Sequence, residues 1–439
     1  MGKVRECECN KKTRFFKRRS KRMKNFKLPI IFIMIMLLTF FSLTILSFGQ
    51  EKEAIKIGAI LSLTGEAAEQ DITSMRAVLV GEELLNAAGG IHGYPISVIV
   101  VNGESRPATF ATKAHRLVES NLVVAGLGGN DISVATAAGQ VFQDAKTSFI
   151  DVMGTTPTIP LVGEYMFMSP APDNDMGRAV AKYAYEKLGY DTITIFKDVA
   201  SAYGTKLTEY AIHFLKEFSG KDDPVPFVPA YNTGDVDYSA QLTRLKPNID
   251  KFGIQAIFLP AWPNDIPTIA KQARELGINI PLIGGDAADT NALYDVGGDA
   301  VEGMVFCTHF DIHQPGISDS VMEAAKLYKA NYGEEMDASA AMGYDAFMII
   351  AKALDDLIGE KGEAWWDKAS IAEKRVALKD AIASVNTGTW TTAPVSFTPE
   401  GWPTRGFVWK QAIGGERVYL DFQTYADYTP EGTNVLPFK

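Results

Sequence analysis

The chain has 439 residues, 46% of them hydrophobic and 22% charged, a length that calls for more than one core and a composition normal for a globular protein. The formal net charge is −10, but residues 1–49 hold twelve Lys or Arg against Glu6 and Glu8 alone, so the remainder carries 31 basic against 51 acidic residues. A body this acidic excludes partners held by positive charge, nucleic acid and anionic membrane surfaces among them.

Lys3 to Lys27 is strongly basic, and Leu28 to Phe48 (LPIIFIMIMLLTFFSLTILSF) follows without a charge. Ser47 and Gly49 put small residues at −3 and −1 of a cleavage site, so 1–49 is expected to be a secretory signal peptide, which points to the periplasm. An apolar run of about 20 residues can also stay in place as an uncleaved anchor. No Cys follows it for lipid attachment. Cys7 and Cys9 would leave with the signal, and Cys307 alone remains, which excludes an internal disulfide.

The body then alternates strand-like and helix-like segments. Strands are expected at Ala54–Leu61, Ile96–Val101, Leu122–Leu127 and Ser148–Val152, with helices at Ser74–Asn86, Ala108–Glu119 and Ser133–Asp144 between them. The pattern restarts after Phe167–Asp173. Helices at Met176–Leu188, Tyr203–Phe218, Tyr238–Pro247 and Ile266–Leu276 alternate with strands at Thr192–Phe196, Pro226–Ala230, Ala256–Pro260 and Pro281–Gly284. Such alternation implies parallel strands with right-handed crossovers and helices on both faces. Two long helices, Ser318–Tyr332 and Ser339–Leu357, come late and need an apolar surface, for which the first unit is the natural place. The tail holds strand-like pieces at Pro394–Phe397, Phe407–Gln411 and Arg417–Phe422.

Open α/β sheets bind ligands where loops and helix N-termini converge at the C-terminal ends of strands. The loops there, GLGGNDIS (Gly126–Ser133) among them, are rich in Gly, Ser, Thr, Asn and Asp. They can present free N–H groups to an acceptor such as a carboxylate. The same residue types also cap helices without binding anything. Catalytic patterns are absent: no G-x-S-x-G elbow, no P-loop, and no G-x-G-x-x-G after the first strand. His309 and His313 with Asp311 have the residue types of a metal site, but Pro315 and Gly316 mark the segment as a connection, so no metal and no cofactor is expected.

At these loops the sequence resembles the leucine/isoleucine/valine-binding protein family of ABC-transporter receptors. The most specific run is LLNAAGGIHGYPISVIVVN (Leu84–Asn102). It is joined in the right order by IKIGAILSLTGEAAEQ (Ile55–Gln70), FIDVMGTTP (Phe149–Pro157), PLIGGDA (Pro281–Ala287), GDAVEGMVF (Gly298–Phe306) and MGYDAFMIIAKAL (Met342–Leu354). The resemblance implies a type I periplasmic binding protein: α/β, with two doubly wound Rossmann-like lobes joined by a three-segment hinge. It divides the chain into the signal (1–49), the first lobe (50–170 and 309–393), the second lobe (171–308), and a second-lobe completion with tail (394–439). It puts the crossovers near Phe167–Asp173, His309–Asp311 and Ala393–Phe397.

The resemblance also implies a ligand site. A first-lobe carboxylate subsite would use Ser133, backbone N–H groups at Ile132 and Met153, and Thr155. Tyr203 and Trp262 would close from the second lobe, and Asp286 would pair with a ligand ammonium. Gln70 stands where relatives have an aromatic, and Asp286 where many have a longer Glu. Asp131, beside the carboxylate subsite, is expected to repel an anion unless it points away or caps its helix. The implied function is non-catalytic: capture of a small polar solute, an amino acid of branched-chain type, by a monomer that delivers it to permease subunits. An amide, urea or aromatic acid ligand, or sensing without transport, is the alternative.

Overall fold

The computed structural model describes residues 52–387 and 392–429. The expected signal segment lies outside the described residues, and among those described no helix is long and apolar enough to cross a membrane.

The first sheet joins β1 (Ile55–Leu61), β2 (Ile96–Asn102), β3 (Ala125–Gly128), β4 (Ser148–Asp151) and β5 (Met166–Met168). Their order is β2-β1-β3-β4-β5 and every pairing is parallel. β3 and β4 are buried throughout, as short apolar strands covered on both faces must be. One face packs Ile57, Leu61 and Leu127 against the helices Ala68–Ala87, Asp319–Tyr332 and Ala338–Lys361. The other packs Ile60 and Phe149 against Pro107–His115 and Ile132–Asp144. The two late helices thus cover the first sheet, as their apolar content required. Helices Ala68–Ala87 and Ala338–Lys361 meet at close range because glycines face the contact. A Cβ on Gly81 would lie 2.6 Å from Phe347, and one on Gly343 2.6 Å from the Ser74 carbonyl.

The second sheet joins β6 (Ile193–Ile195), β7 (Ala256–Leu259), β8 (Leu282–Gly284), β9 (Val305–Thr308), β10 (Phe407–Ile413) and β11 (Glu416–Gln423) in the order β11-β10-β9-β8-β7-β6. β6 to β9 run parallel, while β10 and β11 form an antiparallel hairpin on β9. Apolar clusters again fill both faces. The chain is therefore α/β with two doubly wound lobes.

Three details differ from the expectation. Met166–Met168, which overlaps the expected connection Phe167–Asp173, pairs with β4 as a fifth strand. The strand expected at Pro226–Ala230 is absent from the sheet. Pro224, Pro226 and Pro229 have no N–H to donate, so the segment only offers carbonyls to Ile193 and Lys197, and a two-residue pairing remains at Ala230–Tyr231. The return to the second sheet comes later than Ala393–Phe397: Val395 is buried in the first core with Phe397 packed on it, and the second sheet resumes at Phe407.

Arg405 holds this last connection. Its guanidinium, fully buried, donates to Asp345 Oδ2 at 2.7 Å and to the Ser169 carbonyl at 2.8 Å. Asp345 lies on the helix Ala338–Lys361 of the first lobe, and it also accepts from the Thr392 N–H and hydroxyl. The Arg405 carbonyl accepts from the hydroxyl of Tyr428, a member of the second core.

Candidate functional site

On the second lobe, Ser201 caps the helix Ala202–Ser219, accepting from the Gly204 N–H. This fixes Tyr203 in the first helical turn. Its hydroxyl donates to Asp286 Oδ1 at 2.8 Å. Asp286 opens the short turn after β8, accepts from the Ala287 N–H at 3.0 Å, and is nearly buried. Its other oxygen faces His309 Nε2 at 3.1 Å. His309 is buried just beyond β9, and among the described residues its Nδ1 has no hydrogen-bond partner. Gly285 makes room for this cluster, because a Cβ there would lie 2.4 Å from the Tyr203 hydroxyl. Trp262 lies beside Tyr203, their ring centroids 6.3 Å apart. Burial pushes the Tyr203 hydroxyl well above its usual range, with the charges of Asp286 and Asp173 adding to the effect.

The first crossover joins the two lobes at this place. The Asp173 N–H donates to the Thr155 carbonyl at 2.7 Å. Burial pushes the Asp173 carboxyl up to about 8, opposed by the nearby Thr155 hydroxyl and reinforced by Asp286. That hydroxyl favours the anion by its closeness, yet neither Asp173 oxygen completes a well-formed hydrogen bond.

On the first lobe, Gly128 and Gly129 take positive φ values of 141° and 94°, which only glycine adopts readily, and turn the chain sharply after β3. Asp131 caps the helix Ile132–Asp144, its Oδ1 accepting from the N–H groups of Ser133 at 2.5 Å and Val134 at 3.3 Å. Of the possibilities for Asp131, capping is the one observed. Met153 N–H donates to the Gly129 carbonyl and Val152 N–H to that of Gly128, each at 3.2 Å. Asp151 ends β4 between these loops, fully buried, and among the described residues neither oxygen completes a well-formed hydrogen bond. A Cβ on Gly129 would lie 2.4 Å from its Oδ1, and one on Gly154 2.7 Å from its Oδ2. Burial holds this carboxyl well above the usual range; Asp131 and Asp71 add to the rise, and the Gly154 amide opposes it. Asp71 is pushed up to about 7 by burial, although it accepts from the Ser62 N–H at 2.6 Å.

Of the residues expected to bind ligand, Tyr203, Trp262, Asp286 and Thr155 come together across the first crossover. Ser133 is exposed in the first turn of its helix, Ile132 is half-buried, and Met153 is buried with its N–H engaged. Gln70 bonds Asn130 through its Oε1 at 3.1 Å. It also lines a cavity of about 220 Å³ bounded by Thr73, Asp337 and Ser339 from the first lobe and by Thr290 and Asn291 from the second. That cavity is not lined by Tyr203 or Asp286. His309, Asp151 and Asp173 were not among the expected contacts. His309 Nε2 faces Asp286, while His313 faces Asp311 at 2.9 Å, so the two imidazoles serve different carboxylates. Among the described residues no group of three or more His, Cys, Asp or Glu is placed to hold a metal ion.

Residues 54–400 match the family model described as periplasmic binding protein. A leucine-, isoleucine-, valine-, threonine- and alanine-binding protein of Pseudomonas aeruginosa is 23% identical over 330 residues, 74% of this chain and 83% of that one. The Leu/Ile/Val-binding protein of Escherichia coli is 23% identical over 281 residues, 63% of this chain and 73% of that one. Among solved structures, the leucine-binding protein LivK of Thermotoga maritima superposes with a TM-score of 0.73 at 22% identity, over 84% of this chain and 99% of its own. A solute-binding protein of Rhodopseudomonas palustris in complex with benzoate reaches 0.69 at 19% identity, over 84% of this chain and 96% of its own. With four-fifths of its length matched and this fold, the chain belongs to the periplasmic binding protein family.

Proposed function

We propose that this chain is the extracytoplasmic solute-binding component of an ABC importer, a monomer that captures a small polar solute between its lobes and hands it, unchanged, to permease subunits. The observation that carries this reading is the largely buried Tyr203–Asp286–His309 cluster beside Thr155 and Asp173, where the loops of both sheets meet. It offers acceptors to the cationic or donor end of a solute, and hinge closure over that end would strengthen each contact by removing water. The lobes would divide near residues 170 and 308, with the return crossing near Arg405. Removal of 1–49 would leave the protein in the periplasm.

Among solutes of this kind, an amino acid of branched-chain type is what the relatives' names favour. A solute without a carboxylate is the second reading, favoured by one observation: the N–H groups of Ser133 and Met153 are already engaged and a carboxyl, Asp151, sits between their loops. Thermal-shift screening of a metabolite panel tests the role. A ligand at 100 times its dissociation constant adds about 2.7 kcal/mol to stability. A panel covering amino acids, amines, amides and aromatic acids that leaves the transition unmoved would count against solute capture.

A further inference from the structure

The two walls of the cleft carry the same chemistry, and this bears on the class of solute; the argument rests on the solute-capture reading above. On the first wall four backbone donors beside the expected carboxylate subsite are engaged: Ser133 and Val134 by the Asp131 cap, Val152 and Met153 by carbonyls of the preceding loop. Between those loops lies Asp151, fully buried, with the Gly154 amide beside it and neither oxygen in a well-formed hydrogen bond among the described residues. Its charged neighbours are Asp131 from the helix cap and Asp71 from the helix Ala68–Ala87; the Gly154 amide is the one group opposing them. On the second wall lie Asp173 and Asp286, faced by the Thr155 hydroxyl, the Tyr203 hydroxyl and His309. No Lys or Arg is among the charges acting on Asp151 or Asp173. An ordinary amino acid needs a donor wall opposite an acceptor wall. This cleft has acceptors on both.

We infer that the solute is a donor at both ends, a small cation of diamine or amidine type with no carboxylate, held between Asp151 on the first lobe and the Asp173–Asp286 pair on the second. A buried carboxyl without a partner is tolerated while it is neutral and becomes a strong acceptor once a cation arrives. Binding therefore drives Asp151 and Asp173 to their anions and releases protons. With Asp173 at about 8 and Asp151 also raised, affinity rises with pH through the range from about 7 to above 8. A carboxylate ligand would give the opposite sign, because it would accept from the protonated Asp151 and lose that donor as pH rises.

The test is calorimetry at pH 6.5 and pH 8.5 on protein freed of carried-over ligand by unfolding and refolding, with putrescine, agmatine, L-leucine, acetamide, urea and benzoate as probes. Putrescine or agmatine is expected to bind, roughly tenfold more tightly at the higher pH, and to release protons when buffers of different ionisation enthalpy are compared. Asp151→Asn, with an unchanged circular dichroism spectrum, is expected to weaken that binding at least tenfold. If Asp151→Asn does not fold, the pH dependence and proton release of the unaltered protein decide the matter alone. Binding of L-leucine, acetamide, urea or benzoate with no response to either cation overturns the inference and leaves solute capture standing. So does cation binding that is unaffected by a folded Asp151→Asn or that weakens as pH rises. Silence toward these probes and toward the whole metabolite panel overturns both.

Discussion

The two walls of the cleft are built from equivalent parts, loops at the C-terminal ends of parallel strands, yet they are finished differently. On the second wall Tyr203, Asp286 and His309 bond one another at 2.8 and 3.1 Å and hold their positions without help. On the first wall the backbone groups bond one another and leave Asp151 with only the nearby Gly154 amide, in no well-formed hydrogen bond among the described residues. A preorganised wall binds without a reorganisation cost. A wall with an unbonded buried carboxyl is completed only by what arrives. On the proposed function, the second lobe would anchor the solute and the first would select it.

The largest effect that can break this comparison is at Asp286. Asp286→Ala is expected to abolish binding of an amine-bearing solute, since an unpaired buried charge costs about 3–5 kcal/mol, while the circular dichroism spectrum stays unchanged. Undiminished affinity by calorimetry would remove Asp286 from the anchor. Tyr203→Phe deletes one hydrogen bond to a carboxylate and is expected to weaken binding by about 1.5–3 kcal/mol. If affinity is unchanged, the wall does not depend on its internal bonding.

Two further predictions concern the protein without solute. Asp71 and Asp173 have folded-state values of about 7 and about 8, above the unfolded carboxylate range, so the folded state binds more protons than the unfolded one. Their contribution to stability is complete below the unfolded value and is lost as pH rises through the folded values. The melting temperature of the empty protein should therefore fall between pH 6 and pH 8.5, and Asp173→Asn should flatten that fall; a melting temperature rising over the same interval would contradict it. The smallest effect is at the cap. Asp131→Ala should cost about 1 kcal/mol in urea unfolding, and it should free the Ser133 N–H. If the first wall rejects carboxylates chiefly through this cap, the variant gains affinity for benzoate or leucine.

Much of the fold was legible in the sequence because strand and helix alternate with distinct periods. The long helices Asp319–Tyr332 and Ala338–Lys361 could be assigned to the first lobe from their apolar demand alone. What escaped has local causes. Met166–Met168 is three residues long, too short to show a period. Pro226–Ala230 has the apolar content of a strand, but its prolines remove the donors that a ladder needs. The hairpin of β10 and β11 turns at Gly414 and Gly415, a glycine pair that signals a tight reversal, but the two strands read singly as isolated pieces. In the site, Tyr203, Trp262, Thr155 and Asp286 followed from resemblance to a family pattern. His309 and Asp151 did not, because each takes its meaning from residues far away in the chain: His309 from Asp286, Asp151 from Gly129 and from the charge of Asp71. A trace was present in SFID (Ser148–Asp151), an apolar strand that ends in an acid at the rim where ligands sit.

Arg405 ties these walls to their mechanics. Its side chain is rooted in the first lobe, on Asp345 and the Ser169 carbonyl, and its own carbonyl is held by Tyr428 of the second. Ser169 belongs to one connection between the lobes and Arg405 to another, so a single buried residue pins two of the three strands of the joint together. A pinned joint can swing. Sliding is opposed, because it would strip the guanidinium from Asp345 and leave two buried charges unpaired. Distances between labels set across the cleft should change as the lobes swing, while those from Arg405 to either sheet stay constant, like a door whose pin is set in the frame.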